Sequence, residues 1–306
     1  MFAPAKPPHQ AFGGALFFCY ATKGFVYNAE MIEDDKIIAS ADGIMRLDYV
    51  SFMGFLNETN RPPGGKDSMR RMAQNAFLTK DSHVLHSGCN TGYCSFELSH
   101  LIKCRVTALD LNDAMLASAN KKSAKEPAPY CDLISFQKGD AHSLDFGDDT
   151  FDLVMSGGST AFMKDKEKVV SEYVRVCKPY GFVGDVFLYY HTDPPQQVID
   201  AINAELGISI QKWGKDDWVS LYTDAGLEAY YAYDAKMPVH PTDEDVKKYC
   251  ATMVDQNGLA GDQRQVALDK LYGYMRLFNE NHKYLSYAVL LCRKVPEKEQ
   301  ISLFGV

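Results

Sequence analysis

From residue 81 onward the sequence alternates short apolar runs with longer amphipathic segments, and this alternation most constrains the fold. Helical periodicity of about a dozen residues separates several of the runs. Strands that alternate with helices predict βαβ units and a mostly parallel sheet. We therefore expect an α/β fold with a doubly wound sheet. The segments predicted to be extended are 84–87, 105–110, 134–140, 151–156, 182–188, 227–232 and 284–292.

Two regions outside this pattern are predicted to be mainly helical. The first follows a Pro-rich start and has helical spacing of apolar residues over 44–56. The second opens with a capping sequence at Thr242 and ends before the last predicted strand. We interpret both as cover over the carboxyl ends of the strands. The predicted division is a helical N-terminal segment at 1–80, a core at 81–240 and 283–295, and a helical insertion at 241–282.

The charge and cysteine content exclude several classes of protein. With 32 basic and 40 acidic residues the net charge is −8, which argues against a protein that mainly binds the phosphate backbone of nucleic acids. The eight cysteines include no C-x-x-C pair and no zinc-like set, so we expect reduced, buried thiols, no metal, and a cytoplasmic location. No signal peptide and no membrane span are expected.

Three features at consecutive predicted strand ends indicate a nucleoside site. The loop 88–92 reads Gly-Cys-Asn-Thr-Gly, and glycine and Asn90 tolerate left-handed backbone close to a ligand. Asp110 ends the next strand, where a carboxylate can accept hydrogen bonds from ribose hydroxyls. Asp140, followed by Ala141, ends the third, where an acid can accept from a purine amine. Each feature alone is weak, but their joint order favours nucleoside binding. Neither a G-x-G-x-x-G fingerprint nor a P-loop is present.

The same residues carry a family resemblance. The matching segments are 84–95, Asp110, 139–141, 151–156 and 172–181. They resemble the class I S-adenosylmethionine-dependent methyltransferases, and within them the small-molecule enzymes related to the ubiquinone and sarcosine methyltransferases. The resemblance covers roughly residues 80–190. It implies a Rossmann-like seven-stranded sheet and S-adenosylmethionine as the cofactor.

The resemblance also implies roles for individual residues. It places Gly88, Cys89, Asn90 and Gly92 along the methionine part of the cofactor and Asp110 at its ribose. It places Leu111 against the adenine ring, Asp140 and Ala141 at the edge of the adenine, and Ser156 beside the sulfonium. Two positions depart from the family pattern, which usually has an acid at His86 and a glycine at Asn90. A neutral His86 can still accept a hydrogen bond from the cofactor side. The departures leave an inactive or repurposed nucleoside-binding module as one alternative.

The acceptor is predicted to be a small metabolite, with amino-acid-like or other carboxylated compounds among the candidates. The tetrad Asp/Asn-Pro-Pro-Tyr of amide and nucleobase methyltransferases is absent after Ser156, which disfavours nucleic acid and leaves a macromolecular acceptor as the second alternative. Whether N, O or S is methylated stays open, as does the oligomeric state. The candidate bases are Tyr190, His191 and Asp185, and the candidate acceptor contacts are Tyr20, Tyr27, Tyr49 and, for a carboxylate, Arg46. A turn role for His191 and core packing for the tyrosines are the competing interpretations.

Overall fold

The computed structural model describes residues 40–56, 61–206 and 209–296. The helices in this part of the chain are α1 (Ala41–Arg46), α2 (Tyr49–Phe55), α3 (Gly65–Asn75), α4 (Tyr93–Ile102), α5 (Asp113–Ser123), α6 (Lys166–Val176), α7 (Gln196–Leu206), α8 (Lys215–Thr223), α9 (Asp243–Asp255) and α10 (Gly261–His282). The strands are β1 (His83–Ser87), β2 (Arg105–Asp110), β3 (Ile134–Lys138), β4 (Phe151–Ser156), β5 (Cys177–Tyr190), β6 (Glu228–Lys236) and β7 (Leu285–Arg293).

The strands form one seven-stranded sheet in the order β3-β2-β1-β4-β5-β7-β6. The first five strands of the chain pair in parallel, and β7 runs antiparallel between β5 and β6. Ser87 at the end of β1 lies opposite Leu109 of β2 and Ser156 of β4, so the three carboxyl ends meet at one edge. The predicted α/β fold with a mostly parallel sheet is confirmed.

Helices cover both faces of the sheet because its strands are apolar on both sides. Along β1, Val84 packs in the core under α3, α4 and α5, whereas Leu85 packs in the core under α6 and α8. Successive residues of a strand point to opposite faces, so parity along each strand decides which core a side chain joins. We call these the α4 face and the α6 face.

A third apolar cluster, the cap cluster, joins helices that are far apart in the sequence. It contains Ile44 and Phe52 of the N-terminal helices α1 and α2 together with Cys250 of α9 and Phe278 of α10. Polar contacts reinforce it, since Lys270 of α10 donates through Nζ to the Met45 and Leu47 carbonyls at 2.8 and 2.6 Å. These contacts satisfy carbonyls that the end of α1 leaves open.

The structure adds detail to the predicted helical regions. The single helix expected over 44–56 is two helices, because Asp48 caps α2 by accepting the Ser51 N–H at 2.7 Å. The insertion likewise contains two helices, which are separated near Gly258, where φ is +67°. Helix α7 was not predicted.

Removing the Asp48 cap is expected to destabilise the cap helices. Asp48→Ala leaves the first-turn N–H without its acceptor and is expected to lower the free energy of unfolding by about 1 kcal/mol. Asp48→Asn, which keeps an acceptor oxygen, serves as the matched control. Urea unfolding measures both variants, and equal losses for Ala and Asn would contradict this role.

Candidate functional site

The loop between β1 and α4, residues 88–92, lies at the carboxyl edge of the sheet and is held in left-handed backbone. Gly88 and Asn90 have φ of +65° and +50°. A Cβ on Gly88 would lie 2.1 Å from Ser159 Oγ in the turn after β4. Glycine is therefore required at 88, because the chain there passes directly against the neighbouring loop. We call residues 88–92 the cofactor loop.

Asp110 links the cofactor loop to the end of β2. Its Oδ2 accepts the Asn90 N–H at 2.7 Å and its Oδ1 accepts the Asn112 N–H at 2.9 Å. The residue is 2% exposed. An ionised carboxylate only accepts hydrogen bonds, and ribose hydroxyls are donors that such a group can bind. The adjacent Leu111 is 53% exposed.

The third strand end differs in character from the second. The Asp140 carboxylate is largely exposed, and its Oδ1 accepts the His142 N–H at 2.9 Å and contacts His142 Nδ1 at 2.7 Å. Although partial burial opposes it, this pair of contacts holds the pKa of Asp140 below its usual value. Ala141 is buried beneath the turn, and it packs in the α6-face core. Asp140 thus lies at the carboxyl edge of the sheet, and its Oδ1 already has two contacts with His142.

His86, at the centre of the carboxyl edge, is 2% exposed. Its Nδ1 lies 2.8 Å from Ser95 Oγ of α4, and burial lowers its pKa to about 3, so the ring is neutral at physiological pH. Its Nε2 makes no hydrogen bond to any residue in the described part of the chain. That nitrogen lies 3.8 Å from the position that a Cβ would take on Gly157, and Cys94 Sγ lies 2.9 Å from the same position.

The turn 61–65 closes this part of the edge from above. Pro62 Cβ lies 4.0 Å from the Cβ position of Gly157, and the Arg61 guanidinium lies 5.5 Å from the centre of the Tyr93 ring. Ser68 Oγ donates to the Pro63 carbonyl and holds the turn in place. Sequence reasoning did not single out Arg61, Tyr93 or Gly157. The Arg-Pro-Pro-Gly-Gly run was a visible turn signal, but nothing local tied it to β4.

Ser156 ends β4 as predicted, but its hydroxyl serves the following turn. Its Oγ accepts the N–H groups of Gly158 and Thr160 at 3.1 and 3.2 Å and lies 3.0 Å from Ser159 Oγ. The side chain is fully buried on the α6 face. Ser156 therefore shapes the loop that presents Gly157, and its hydroxyl is turned away from the α4 face.

Asp185 lies beside Ser156 in the sheet and shares the same buried polar network. Its Oδ2 accepts the Tyr222 hydroxyl at 2.6 Å, and the neighbouring Tyr173 hydroxyl donates to Ser87 Oγ at 2.8 Å. Burial raises the pKa of Asp185 to about 6. Asp185 thus lies beneath α6 and α8, and its described hydrogen bond is the one that it accepts from Tyr222.

The three candidate bases do not come together. Tyr190 lies on the α4 face, where its hydroxyl donates to Asn281 Oδ1 at 3.2 Å, and burial raises its pKa to about 12. His191 is exposed, with Nδ1 3.1 Å from Ser286 Oγ of β7. Because Asp185 and Tyr190 point to opposite faces of β5, the two cannot act on one acceptor from the same side.

The candidate acceptor contacts also separate. Tyr49 is buried in the cap cluster, with its ring centre 4.9 Å from that of Tyr274 and 5.7 Å from that of Phe278, which agrees with the competing interpretation of core packing. Arg46 is exposed on α1. Tyr20 and Tyr27 lie outside the described residues.

Across residues 40–56, 61–206 and 209–296, no cluster of three His, Cys, Asp or Glu side chains could hold a metal ion. In those same stretches every helix is too short or too polar to cross a bilayer.

Comparison with known proteins agrees with this geometry. Residues 85–184 match the family model described as a methyltransferase domain. These residues are a class I S-adenosylmethionine-dependent methyltransferase domain. The predicted resemblance, and with it the cofactor of the domain, is confirmed.

The similar proteins act on different acceptors according to their names. The chain is 33% identical over 150 residues to a sterol 24-C-methyltransferase of Eremothecium gossypii, covering 46% of this chain and 38% of that protein. It is 36% identical over 97 residues to a demethylmenaquinone methyltransferase of Desulfitobacterium hafniense, covering 31% and 38%. The match to each therefore spans well under half of the relative. The fold is similar to the crystal structure of the MccD protein, with a TM-score of 0.68, 19% identity, and coverage of 77% of this chain and 100% of that chain.

The residues present fit the cofactor of this family. Asp110 is a buried carboxylate at the end of β2, an acceptor of the kind that ribose hydroxyls need, and the exposed side chain of Leu111 beside it could contact an adenine ring. Helix α4 begins after Gly92, which offers no side-chain cap, so first-turn N–H groups stay available to a carboxylate. His86 Nε2 adds an unpaired polar atom at the same edge.

The neutral state of His86 predicts a pH dependence of stability. A histidine whose pKa falls from 6.5 to about 3 on folding binds protons only in the unfolded state between these values, so stability falls as pH drops from about 6.5 towards 3. His86→Asn removes this contribution. Between pH 7 and pH 4 the wild type is expected to lose on the order of 3 kcal/mol more than the variant. Urea unfolding at several pH values measures the difference, and parallel curves would contradict a buried neutral ring.

Proposed function

We propose that the chain transfers the methyl group of S-adenosylmethionine to a small molecule enclosed between the carboxyl edge of the sheet and the helical cap. One observation carries the proposal. Pro62 of the turn 61–65, Cys94 of α4 and His86 of β1 converge at Gly157 in the turn after β4. This junction joins the family's cofactor edge to the N-terminal segment. The division of the chain into a core and two covering helical regions forms part of the proposal.

The cofactor supplies an electrophilic methyl group on a sulfonium, and the chain's own residues bind the cofactor and orient it towards the acceptor. In this proposal Asp110 accepts hydrogen bonds from the ribose hydroxyls, and Leu111 covers one side of the adenine. Asp140 and Ala141 serve the adenine edge. The cofactor loop and the start of α4 hold the amino-acid end. Displacement at carbon depends mainly on aligning the two reactants, which a rigid edge of this kind favours.

A small acceptor suits the cap. The cap cluster joins α1 and α2 to α9 and α10, so the two covering regions form one apolar unit. Enclosure of this kind excludes water from the transfer. The net charge of −8 and the pairing of many basic side chains with acids give little support to a nucleic acid acceptor.

The choice of acceptor atom depends on whether a side chain at the carboxyl edge can remove a proton from the acceptor. With a pKa of about 12, Tyr190 is protonated at neutral pH, so we assign it a hydrogen-bonding role towards the acceptor. A thioether or an unprotonated amine needs no base, and both fit this edge directly. Carbon joins N, O and S as a candidate because one named relative is a 24-C-methyltransferase. Arg61, beside Tyr93, is proposed to bind a carboxylate where the acceptor has one.

The decisive experiment combines binding with turnover. Calorimetry of the full chain with S-adenosylmethionine tests the cofactor site, and incubation with fractionated small metabolites tests release of S-adenosylhomocysteine. Binding with acceptor-dependent release supports the proposal. Binding without release from any fraction, or release with a macromolecular fraction alone, would overturn the small-molecule enzyme in favour of a binding module or a macromolecular methyltransferase.

Asp110→Asn is expected to weaken cofactor binding. The amide loses the charge and one of the acceptor positions that serve Asn90 and the ribose. We expect a loss of about 1–3 kcal/mol, or roughly tenfold to a hundredfold in Kd. Asp113→Asn is the matched control, because its side chain is 75% exposed and pairs with Lys138 on the surface. Equal Kd values for the two variants would place the ribose elsewhere.

Tyr190→Phe tests the acceptor side. The variant loses the hydroxyl that meets Asn281, and we expect kcat/KM to fall by about tenfold while the Kd of S-adenosylmethionine is unchanged. Tyr189→Phe is the matched control, since its neighbouring hydroxyl donates to Asp234 on the other face. If both variants keep wild-type kcat/KM, the acceptor does not reach Tyr190.

A further inference from the structure

Exposed aromatic side chains gather at the amino end of the parallel strands, away from the carboxyl edge. The ring centres of Phe77 and Phe182 both lie 6.1 Å or less from that of Tyr230 in the edge strand β6. Phe77, Tyr180 and Tyr230 are 66%, 57% and 43% exposed. A contiguous exposed apolar surface of this kind marks an interaction site. We call the following residues the aromatic patch: Phe77, Tyr180, Phe182, Tyr230 and Arg293.

Arg293 of β7 brings an unpaired cation to the aromatic patch. Its guanidinium carbon lies 5.4, 5.9 and 6.0 Å from the ring centres of Tyr180, Phe182 and Tyr230. Among the described residues nothing forms a hydrogen bond or ion pair with this guanidinium, and its Nε is buried without a partner. Glu228 lies opposite Arg293 in the β6–β7 ladder but does not reach it. A guanidinium pairs well with a carboxylate, so the patch suits an acidic group beside apolar side chains.

Two residues of the patch have left-handed backbone, with φ of +52° at Phe77 and +63° at Tyr180. Bulky residues rarely adopt this conformation. Phe77 occupies the position after α3 where glycine is usual, since its N–H and that of Leu78 close the helix end. Costly backbone of this kind is commonest where a surface has a function. Its presence at two points of one patch therefore favours a role for the exposed rings.

The chain itself contains a segment of the complementary chemistry. Residues 297–306, beyond the described part of the chain, read Glu-Lys-Glu-Gln-Ile-Ser-Leu-Phe-Gly-Val. Two glutamates thus come first, and the large apolar residues Ile301, Leu303 and Phe304 follow. The order matches a patch that combines one unpaired guanidinium with exposed aromatic rings.

Covalent attachment favours this segment over a separate partner. Lys294, the residue after Arg293, accepts the Tyr180 N–H at its carbonyl at 2.7 Å, so β7 leads past the patch before residue 297. An extended chain spans about 3.3–3.6 Å per residue, which lets residues 301–304 return to rings only a few residue lengths away. A short tether also raises the effective concentration of the segment to the millimolar range.

We propose that residues 297–306 dock on the aromatic patch. A glutamate carboxylate of this segment pairs with Arg293, and the apolar side chains contact the exposed rings. Docking removes the rings from solvent beside the edge strand β6, a surface that otherwise invites association with other chains. The inference is independent of the proposed methyl transfer and stands or falls separately from it.

Hydroxyl-radical footprinting of the full chain tests the docking. In Leu303→Ser/Phe304→Ser we expect the patch residues Phe77, Tyr180 and Tyr230 to react about threefold faster or more than in the wild type, because the apolar contacts are lost. Leu101 of α4, which is 44% exposed, is the internal control and is expected to react equally in both. Ser302→Ala is the matched control variant and is expected to keep wild-type rates.

A second variant tests the carboxylate separately. Glu297→Gln/Glu299→Gln removes both negative charges of the segment and is expected to speed the reaction of Phe77 in the same direction. Both sets of substitutions leave every residue of the sheet and of the described helices unchanged. The variants therefore test docking without altering the core of the fold.

Each outcome decides the proposal. Faster reaction of the patch in both variants, with protection of the wild type that does not depend on protein concentration, supports it. Equal rates in the wild type and in Leu303→Ser/Phe304→Ser would overturn the docking, and unchanged rates in the glutamate variant would overturn the pairing with Arg293. Protection that is lost on dilution of the wild type would overturn it in favour of a second copy of the chain.

Discussion

A single buried carboxylate organises the edge on which the rest of the site depends. Asp110 ends β2, and its two oxygens take N–H groups from the loop after β1 and from the loop after β2. Both loops would otherwise bury unpaired donors, and the carboxylate would be buried without partners, so each side stabilises the other. The parallel pairing of β1 with β2 brings the loops within reach of one side chain. The left-handed backbone at Gly88 and Asn90 persists because this contact fixes it.

The two faces of the sheet carry different tasks at this edge. On the α6 face, hydroxyl groups hold the turn after β4, with Ser156 accepting two backbone N–H groups and Ser159 donating to the Ser87 carbonyl at 2.9 Å. On the α4 face, the same turn presents Gly157 to His86 and Cys94. The polar network on the α6 face thus positions the backbone of the turn that the α4 face meets at Gly157.

How far the sequence predicts this site depends on how local each contact is. The acid at 110 and the glycine at 88 were readable because a strand end and a tight loop leave local signals. The end of β4 at Ser156 was also readable, whereas the partners of its hydroxyl were not, because strand parity turns the side chain to the α6 face and towards its own turn. Its place beside the sulfonium stays a prediction. The approach of Pro62 to Gly157 joins residues about a hundred positions apart, and no local pattern encodes such a contact. Tyr49 was an acceptor candidate because ring faces can contact a cation, but ring chemistry does not reveal which neighbours surround the side chain in the fold.

The helical cap also depends on contacts between residues that are far apart in the sequence. Helices α1 and α2 are short, and short helices are marginal without tertiary partners. Their carbonyl ends are satisfied from the distant insertion, by Lys270 at Met45 and Leu47 and by Asn257 Nδ2 at the Leu56 carbonyl, 3.1 Å away. The N-terminal helices therefore depend on the insertion for both their apolar and their polar partners.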